Sequence, residues 1–315
     1  MNEMRFDDDV VIVTGAGRGL GREHALQFAA RGAAVIVNDI GVEADGSRGS
    51  APVAQGVVEE ILAAGGRAVA DTHSVATPEG AQAVVQTALR AYGKATVLVN
   101  NAGIISFAKL EKIDSEGWRR MLAVTLDGTF HMTRAVWSLF IGQDYGRIIN
   151  TTSNAGFAGN EQLVHYAAAK LGVAGLTKAL AQEAIGTGIT VNAIAPMAVT
   201  RMNSDAFFGG ENPAGEDWQQ HIRSGLVPIG LPAAVSPTVL WLAHRSTRVN
   251  GDIYSTSSGK VARVGFIVGR GYFSPNHRPE DLRDHTDQIR SLDGYLDPAC
   301  TMDEVLLIPK LFGRT

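Results

Sequence analysis

The chain has 315 residues, 45% of them hydrophobic and 19% charged, which is ample apolar material for a globular core. Its formal net charge is −4, with Lys and Arg scattered along the chain, which excludes the basic footprint of a nucleic-acid-binding protein. A single cysteine, Cys300, excludes an internal disulfide and a multi-cysteine metal site, so no metal is expected and a reducing compartment suits the chain.

The N-terminus carries three consecutive acids, Asp7 to Asp9, the opposite of a signal peptide's basic start. No apolar run reaches the roughly 18 residues that a membrane-spanning helix needs. The expectation is a cytoplasmic protein with no membrane partner.

Short runs of β-branched and aliphatic residues recur at Val10 to Val13, Ala34 to Val37, Ala68 to Ala70, Val97 to Val99, Arg147 to Asn150 and Thr190 to Ala193. They are apolar at successive positions, as in strands covered on both faces. Helical patterns lie between them: Arg22 to Arg31 before Gly32, Ala54 to Ala64 before Gly65, Glu79 to Tyr92 before Gly93. Strict alternation of strand and helix predicts a doubly wound parallel α/β sheet, a Rossmann fold, in one domain over residues 1–268. Residues 269–315 are expected to form a C-terminal extension packing on the domain or on a dimer partner, with a helix around Pro279 to Leu292. Gly41 to Gln55 and Met202 to Asp217 read as loops, the second a candidate cover for a ligand.

The first strand runs into Thr14-Gly15-Ala16-Gly17-Arg18-Gly19-Leu20-Gly21 and then directly into a helix. A pyrophosphate sits well at a helix N-terminus, where unpaired N–H groups and the helix dipole favour negative charge and glycine lets the backbone come close. Asp39 ends the second apolar run, at the spacing of an acid that accepts from the adenosine ribose hydroxyls. A carboxylate there repels the 2′-phosphate of NADP, so the expected cofactor is NAD. Arg18 argues the other way, because a cation in the glycine loop attracts that phosphate.

Tyr166 and Lys170 are four residues apart in an Ala-rich helical segment, hence on one face. An ammonium beside a phenol stabilises the phenolate and would let Tyr166 exchange a proton with a substrate hydroxyl. Ser153 follows an apolar strand, at the edge where parallel sheets bind ligands, and is placed to hold the substrate oxygen.

Together these motifs resemble the short-chain dehydrogenase/reductase family. The segments are Thr-Gly-x-x-x-Gly-x-Gly at Thr14 to Gly21, Asn-Asn-Ala-Gly at Asn100 to Gly103, Ser153, and Tyr-x-x-x-Lys at Tyr166 to Lys170. The resemblance implies that Tyr166 is the general acid/base, that Lys170 lowers its pKa and holds the nicotinamide ribose, and that Ser153 orients the substrate. It places Asn101, with Ala102 and Gly103, against the cofactor, and Pro196, Ala198, Val199 and Thr200 around the nicotinamide amide. Ser74 stands where the family has an adenine-binding acid, followed by Val75. Thr125 stands where most members have an Asn that acts through its main-chain carbonyl, and the resemblance implies that Thr125 takes that part. Family habit also implies a homodimer or homotetramer built through the helix Tyr166 to Ala184, which carries Ala167, Ala168, Gly172, Ala174 and Gly175.

A closer likeness rests on the insertion Gly41 to Ser50, Ser74-Val75, Tyr145-Gly-Arg-Ile-Ile, Leu240 to His244 and the tail near Arg290. These are similar to the (3R)-hydroxyacyl-CoA dehydrogenase part of peroxisomal multifunctional enzyme type 2, the family that includes 17β-hydroxysteroid dehydrogenase type 4. The likeness implies an oxidoreductase of lipid metabolism that interconverts a secondary alcohol and a ketone with NAD, on a hydroxyacyl thioester or steroid-like small molecule. Two other readings share the residues: an NADPH-linked reductase of 3-oxoacyl or steroid ketones, and a non-catalytic cofactor-sensing protein. The C-terminal Phe-Gly-Arg-Thr is not a peroxisomal address.

Overall fold

Eight strands form one sheet: β1 (Val10–Thr14), β2 (Ala34–Asn38), β3 (Arg67–Asp71), β4 (Val97–Asn100), β5 (Gly146–Thr151), β6 (Ile189–Met197), β7 (Ile253–Ser257) and β8 (Lys260–Val264). Their order is β3-β2-β1-β4-β5-β6-β7-β8, and β1 to β7 pair in parallel. The computed structural model describes residues 3–47, 52–198, 200, 230–257 and 259–306.

Alternation along each strand divides the core into two layers. Val11, Val13, Val35, Val37, Val97 and Val99 face one side, against α1 (Gly19–Ala30), α2 (Val53–Ala63) and the helix Ser236–Ala243. Val10, Ile12, Ala34, Ile36 and Leu98 face the other, against α3 (Pro78–Tyr92), α5 (Gly128–Gly142) and α7 (Val164–Glu183). This is why the strands read as continuous apolar runs.

Local chemistry sets the helix ends. The Thr77 side chain accepts from Gly80 N–H at 3.1 Å at the start of α3, Ala81, Val84, Val85 and Ala88 supply the buried stripe, and Gly93 ends the helix at φ 74°. Between α4 (Ser115–Leu122) and α5, residues Ala123–Asp127 form a single π-helical turn. Such a bulge leaves the regular carbonyl ladder out of register and often marks a functional position.

The expected strands are present to within one residue at each end, except that β6 runs four residues beyond Ala193, to Met197. The first helix begins at Gly19, three residues earlier than expected, because the glycine turn itself winds into it. β7 and β8 were not expected. Their segments, Ile-Tyr-Ser-Thr-Ser and Lys-Val-Ala-Arg-Val, are half polar and hold no continuous apolar run.

The chain divides into two compact units, Met1–Arg263 and Val264–Thr315. In the second, one antiparallel bridge joins Val268 and Leu296, and Tyr272 stacks on His285 with ring centroids 3.9 Å apart. The helix expected over Pro279 to Leu292 is two short ones, Pro279–Asp284 and Thr286–Arg290, interrupted at His285. The loop expected at Met202 to Asp217 lies outside the described residues. Among the described residues no helix is long and apolar enough to cross a membrane.

Candidate active site

The strand order reverses between β1 and β4, and a crevice opens there beyond the carboxyl ends of the strands, as this topology requires. The cleft opens to solvent, and the space in and over it is about 1070 Å³. Its walls include Gly15, Arg18, Gly19, Leu20, Asp39, Ser74, Val75, Asn101, Ala102, Gly103 and Thr200, eleven of the residues expected to bind a cofactor.

At the floor, Gly15 and Gly19 take positive φ (62° and 53°), and Ala102 Cα would lie 2.8 Å from a Cβ on Gly15. The backbone therefore comes close where a bulkier residue would stand off. The N-terminus of α1 has no side-chain cap and no acid in its first turn, so its N–H groups remain available to an anion. Residues and backbone here fit a dinucleotide's pyrophosphate.

Gly17 and Gly21 lie behind the cleft wall and shape the loop. Gly17 N–H donates to Asp39 Oδ2 at 2.9 Å. A Cβ on Gly21 would come within 2.2 Å of the Gly15 carbonyl oxygen and 2.5 Å of Asn101 Nδ2. That amide group donates to the carbonyls of Thr14 and Gly15, both at 3.0 Å, while Thr14 Oγ1 accepts from the N–H groups of Asn101 and Ala102. The Asn101 side chain is thus spent on tying β4 to the glycine loop, and the residue meets the cleft from that fixed position.

Asp39 is held at the rim by two backbone donors, Gly17 N–H and Gly41 N–H, the latter at 2.7 Å to Oδ1. Ser74 and Val75 border the same end of the cleft. The expected nicotinamide-side segment follows β6: Ala198 is buried, Thr200 reaches the cleft and stands against Gly19, and Val199 lies outside the described residues. Pro196 sits within β6, paired with Thr256.

The reaction residues converge at the end of β5. Ser153 caps α6 (Asn154–Ala158), its Oγ accepting from Ala155 N–H at 3.2 Å. Tyr166 and Lys170 lie one turn apart on α7, with Lys170 Nζ 5.8 Å from the centre of the Tyr166 ring. Lys170 is 4% exposed, and Nζ donates to the Thr151 carbonyl at 2.7 Å. A relay of buried amides holds α7 to the sheet: Asn100 Nδ2 donates to Asn150 Oδ1, and Asn150 Nδ2 to Thr177 Oγ1, each at 2.9 Å.

Electrostatics here depart from expectation. The Tyr166 phenol was expected to be made acidic by Lys170, but burial raises its pKa, with the Ser153 hydroxyl opposing that rise. Lys170 is itself pushed down to about 8 by burial. Desolvation is the largest cause for both groups, Lys170 being buried and Tyr166 partly buried, and the spacing of four residues carries no information about that.

Thr125 is buried in the π-helical turn. Its hydroxyl lies 3.8 Å from Met121 Sδ, and its carbonyl accepts from Thr129 Oγ1 at 2.8 Å. A Cβ on Gly103 would lie 3.4 Å from Lys170 Nζ and 3.7 Å from Thr125 Oγ1, so these three residues meet.

Sequence reasoning missed one wall of the cleft. Ile40, Val42, Glu43, Ala44 and Gly46 line it, with His73, Ile104 and Val124. The inserted loop reaches the site because Ile105 N–H donates to the Ala44 carbonyl at 2.9 Å. An acid four residues beyond Asp39 was the available signal. His165, beside Tyr166, was also passed over; it is buried, and Nε2 meets Ser106 Oγ at 2.8 Å.

Comparison with known proteins agrees with this geometry. Residues 9–207 match the short chain dehydrogenase family. The chain is 38% identical, over 91% of its length and 96% of the relative's, to a short-chain type dehydrogenase/reductase of Mycobacterium tuberculosis. It is 40% identical to the mouse peroxisomal multifunctional enzyme type 2, over 91% of this chain but only 37% of that much longer protein. Among solved structures, a short chain dehydrogenase from Mycobacterium avium superposes with a TM-score of 0.75 at 39% identity, covering 92% of this chain and 98% of the other. The chain belongs to the short-chain dehydrogenase family.

Proposed function

We propose that the protein interconverts a secondary alcohol and a ketone with NAD, the substrate being a (3R)-hydroxyacyl-CoA or a hydroxysteroid-derived molecule. The observation that carries the reading is the convergence of Ser153, Tyr166 and Lys170 at the same sheet edge as an uncapped α1 N-terminus. NAD is preferred because Asp39 presents a fixed carboxylate at the rim. The acyl-CoA class is favoured by the likeness to peroxisomal multifunctional enzyme type 2.

In this mechanism the glycine loop and α1 would hold the pyrophosphate, Asp39 the adenosine ribose, and Lys170 the nicotinamide ribose. The dinucleotide, when bound, supplies the hydride acceptor. Ser153 donates a hydrogen bond to the substrate oxygen and fixes its position. In its phenolate form Tyr166 takes the hydroxyl proton through its phenolic oxygen during oxidation, and as the phenol it returns that proton during reduction. Burial of Lys170 beneath the partly buried Tyr166 limits the water that could compete for that proton.

Turnover of a panel of secondary alcohols, steroids and 3-hydroxyacyl-CoA thioesters with NAD and with NADP tests the proposal. NADH formation with a thioester or steroid is expected. Turnover with NADP alone would favour the NADPH-linked reductase reading that Arg18 supports, and no turnover with any substrate would contradict an enzymatic role.

A further inference from the structure

Two carboxylates and one guanidinium border the adenosine end of the cleft, those of Asp39, Glu43 and Arg18. We infer that Glu43 is a second determinant of dinucleotide selectivity, acting by neutralising Arg18 and so withdrawing a cation placed to receive a 2′-phosphate. The inference rests on the reading that the cleft takes a nicotinamide dinucleotide.

Arg18 precedes α1 in extended backbone, and its side chain reaches over the glycine loop into the cleft wall. Its Nη1 lies 4.0 Å from Glu43 Oε1. The same Nη1 is buried and makes no hydrogen bond, so Coulomb attraction, not a directed bond, holds it toward Glu43. A guanidinium with unused donors is a good partner for phosphate oxygens, and its pairing decides whether those oxygens are welcome.

Glu43 is presented by an anchored loop. Gly41 N–H donates to Asp39, Glu43 N–H to the Ser47 carbonyl at 2.9 Å, and Gly46 N–H to the Glu43 carbonyl at 3.0 Å, while Ile105 N–H holds Ala44. Asp39 is fixed by its own two donors. A phosphomonoester dianion entering here would meet two placed carboxylates and a guanidinium already paired with one of them. Asp39 acts by direct repulsion; Glu43 adds repulsion and also removes attraction.

Both partners of the pair are partly exposed, 37% and 49% by side chain, so the effect is moderate. Dissociation constants of NADH and NADPH, measured by fluorescence titration, test it in the wild type, in Glu43→Gln and in Arg18→Gln/Glu43→Gln. Glu43→Gln is expected to lower the ratio of the NADPH constant to the NADH constant by roughly two- to fivefold. The double variant is expected to restore the wild-type ratio or exceed it. A ratio unmoved by Glu43→Gln, or a fall that persists in the double variant, overturns the inference. A wild type that binds NADH tightly while the ratio stays fixed sinks only the role of Glu43; a wild type that binds neither dinucleotide sinks the reading of the cleft itself.

Discussion

Replacing Lys170 with methionine should make the folded chain more stable while removing its activity. Lys170 is buried, and burial brings its pKa from 10.5 to about 8. The folded-state value lies below the unfolded one, so below pH 8 both states carry the proton and the fold bears the whole penalty of the buried charge, about 3 kcal/mol. Between pH 8 and 10.5 the unfolded chain keeps a proton that the folded chain has released, and stability rises with pH. Methionine fills a similar volume without charge, but leaves the Thr151 carbonyl without its Nζ donor, which costs about 1 kcal/mol. At pH 7 the net gain for Lys170→Met is therefore about 2 kcal/mol. Urea unfolding of both proteins at several pH values gives the difference directly, and other titrating groups cancel. The gain should shrink through pH 8 to 10.5 and change sign. A variant less stable than wild type at pH 7, or a difference flat across that window, would refute the reasoning.

Gly21→Ala is expected to lose at least about 2 kcal/mol in thermal unfolding and to weaken dinucleotide binding, because its Cβ collides with the Gly15 carbonyl and the Asn101 amide; an unchanged melt would show that the tie between β4 and the glycine loop is dispensable. Gly175→Ala probes assembly: among the described residues nothing lies within 4 Å of the added Cβ, so an isolated chain should gain about 0.5–1 kcal/mol. If α7 builds an oligomer as the family resemblance implies, light scattering should instead show a shift toward smaller species, and a stabilised protein of unaltered size would remove that helix from the interface. Thr125→Ala should retain turnover within about tenfold, since the contribution assigned to Thr125 comes from its carbonyl. Complete loss of turnover with normal NAD binding would place the function in its hydroxyl.

The glycine loop and Asp39 were legible in the sequence because their chemistry is local: positive φ, close backbone approach and an acid at a strand end are all written in neighbouring residues. The strands were legible for a related reason, since burial on both faces leaves few polar positions in β1, β2 and β4. What escaped depends on contacts far apart in the chain. The inserted loop is tied to the far side of the cleft by the Ala44 to Ile105 bond, 61 residues distant in sequence. Lys170 and Tyr166 were found by their spacing, but the direction of the Tyr166 shift follows from desolvation by surrounding elements. Gly172, read as room for another helix, packs within its own chain, where a Cβ would come within 2.9 Å of Leu126, whereas Gly175 stays open among the described residues.

Tyr166→Phe tests the central claim most directly, because it removes one oxygen from the buried site and leaves the glycine loop, Asp39 and Lys170 in place. Single-turnover NADH formation from a substrate that the wild type oxidises should fall by between about a hundredfold and ten-thousandfold, with NADH affinity preserved. Turnover equal to wild type in that variant would contradict the assignment of the phenolic oxygen as the proton carrier.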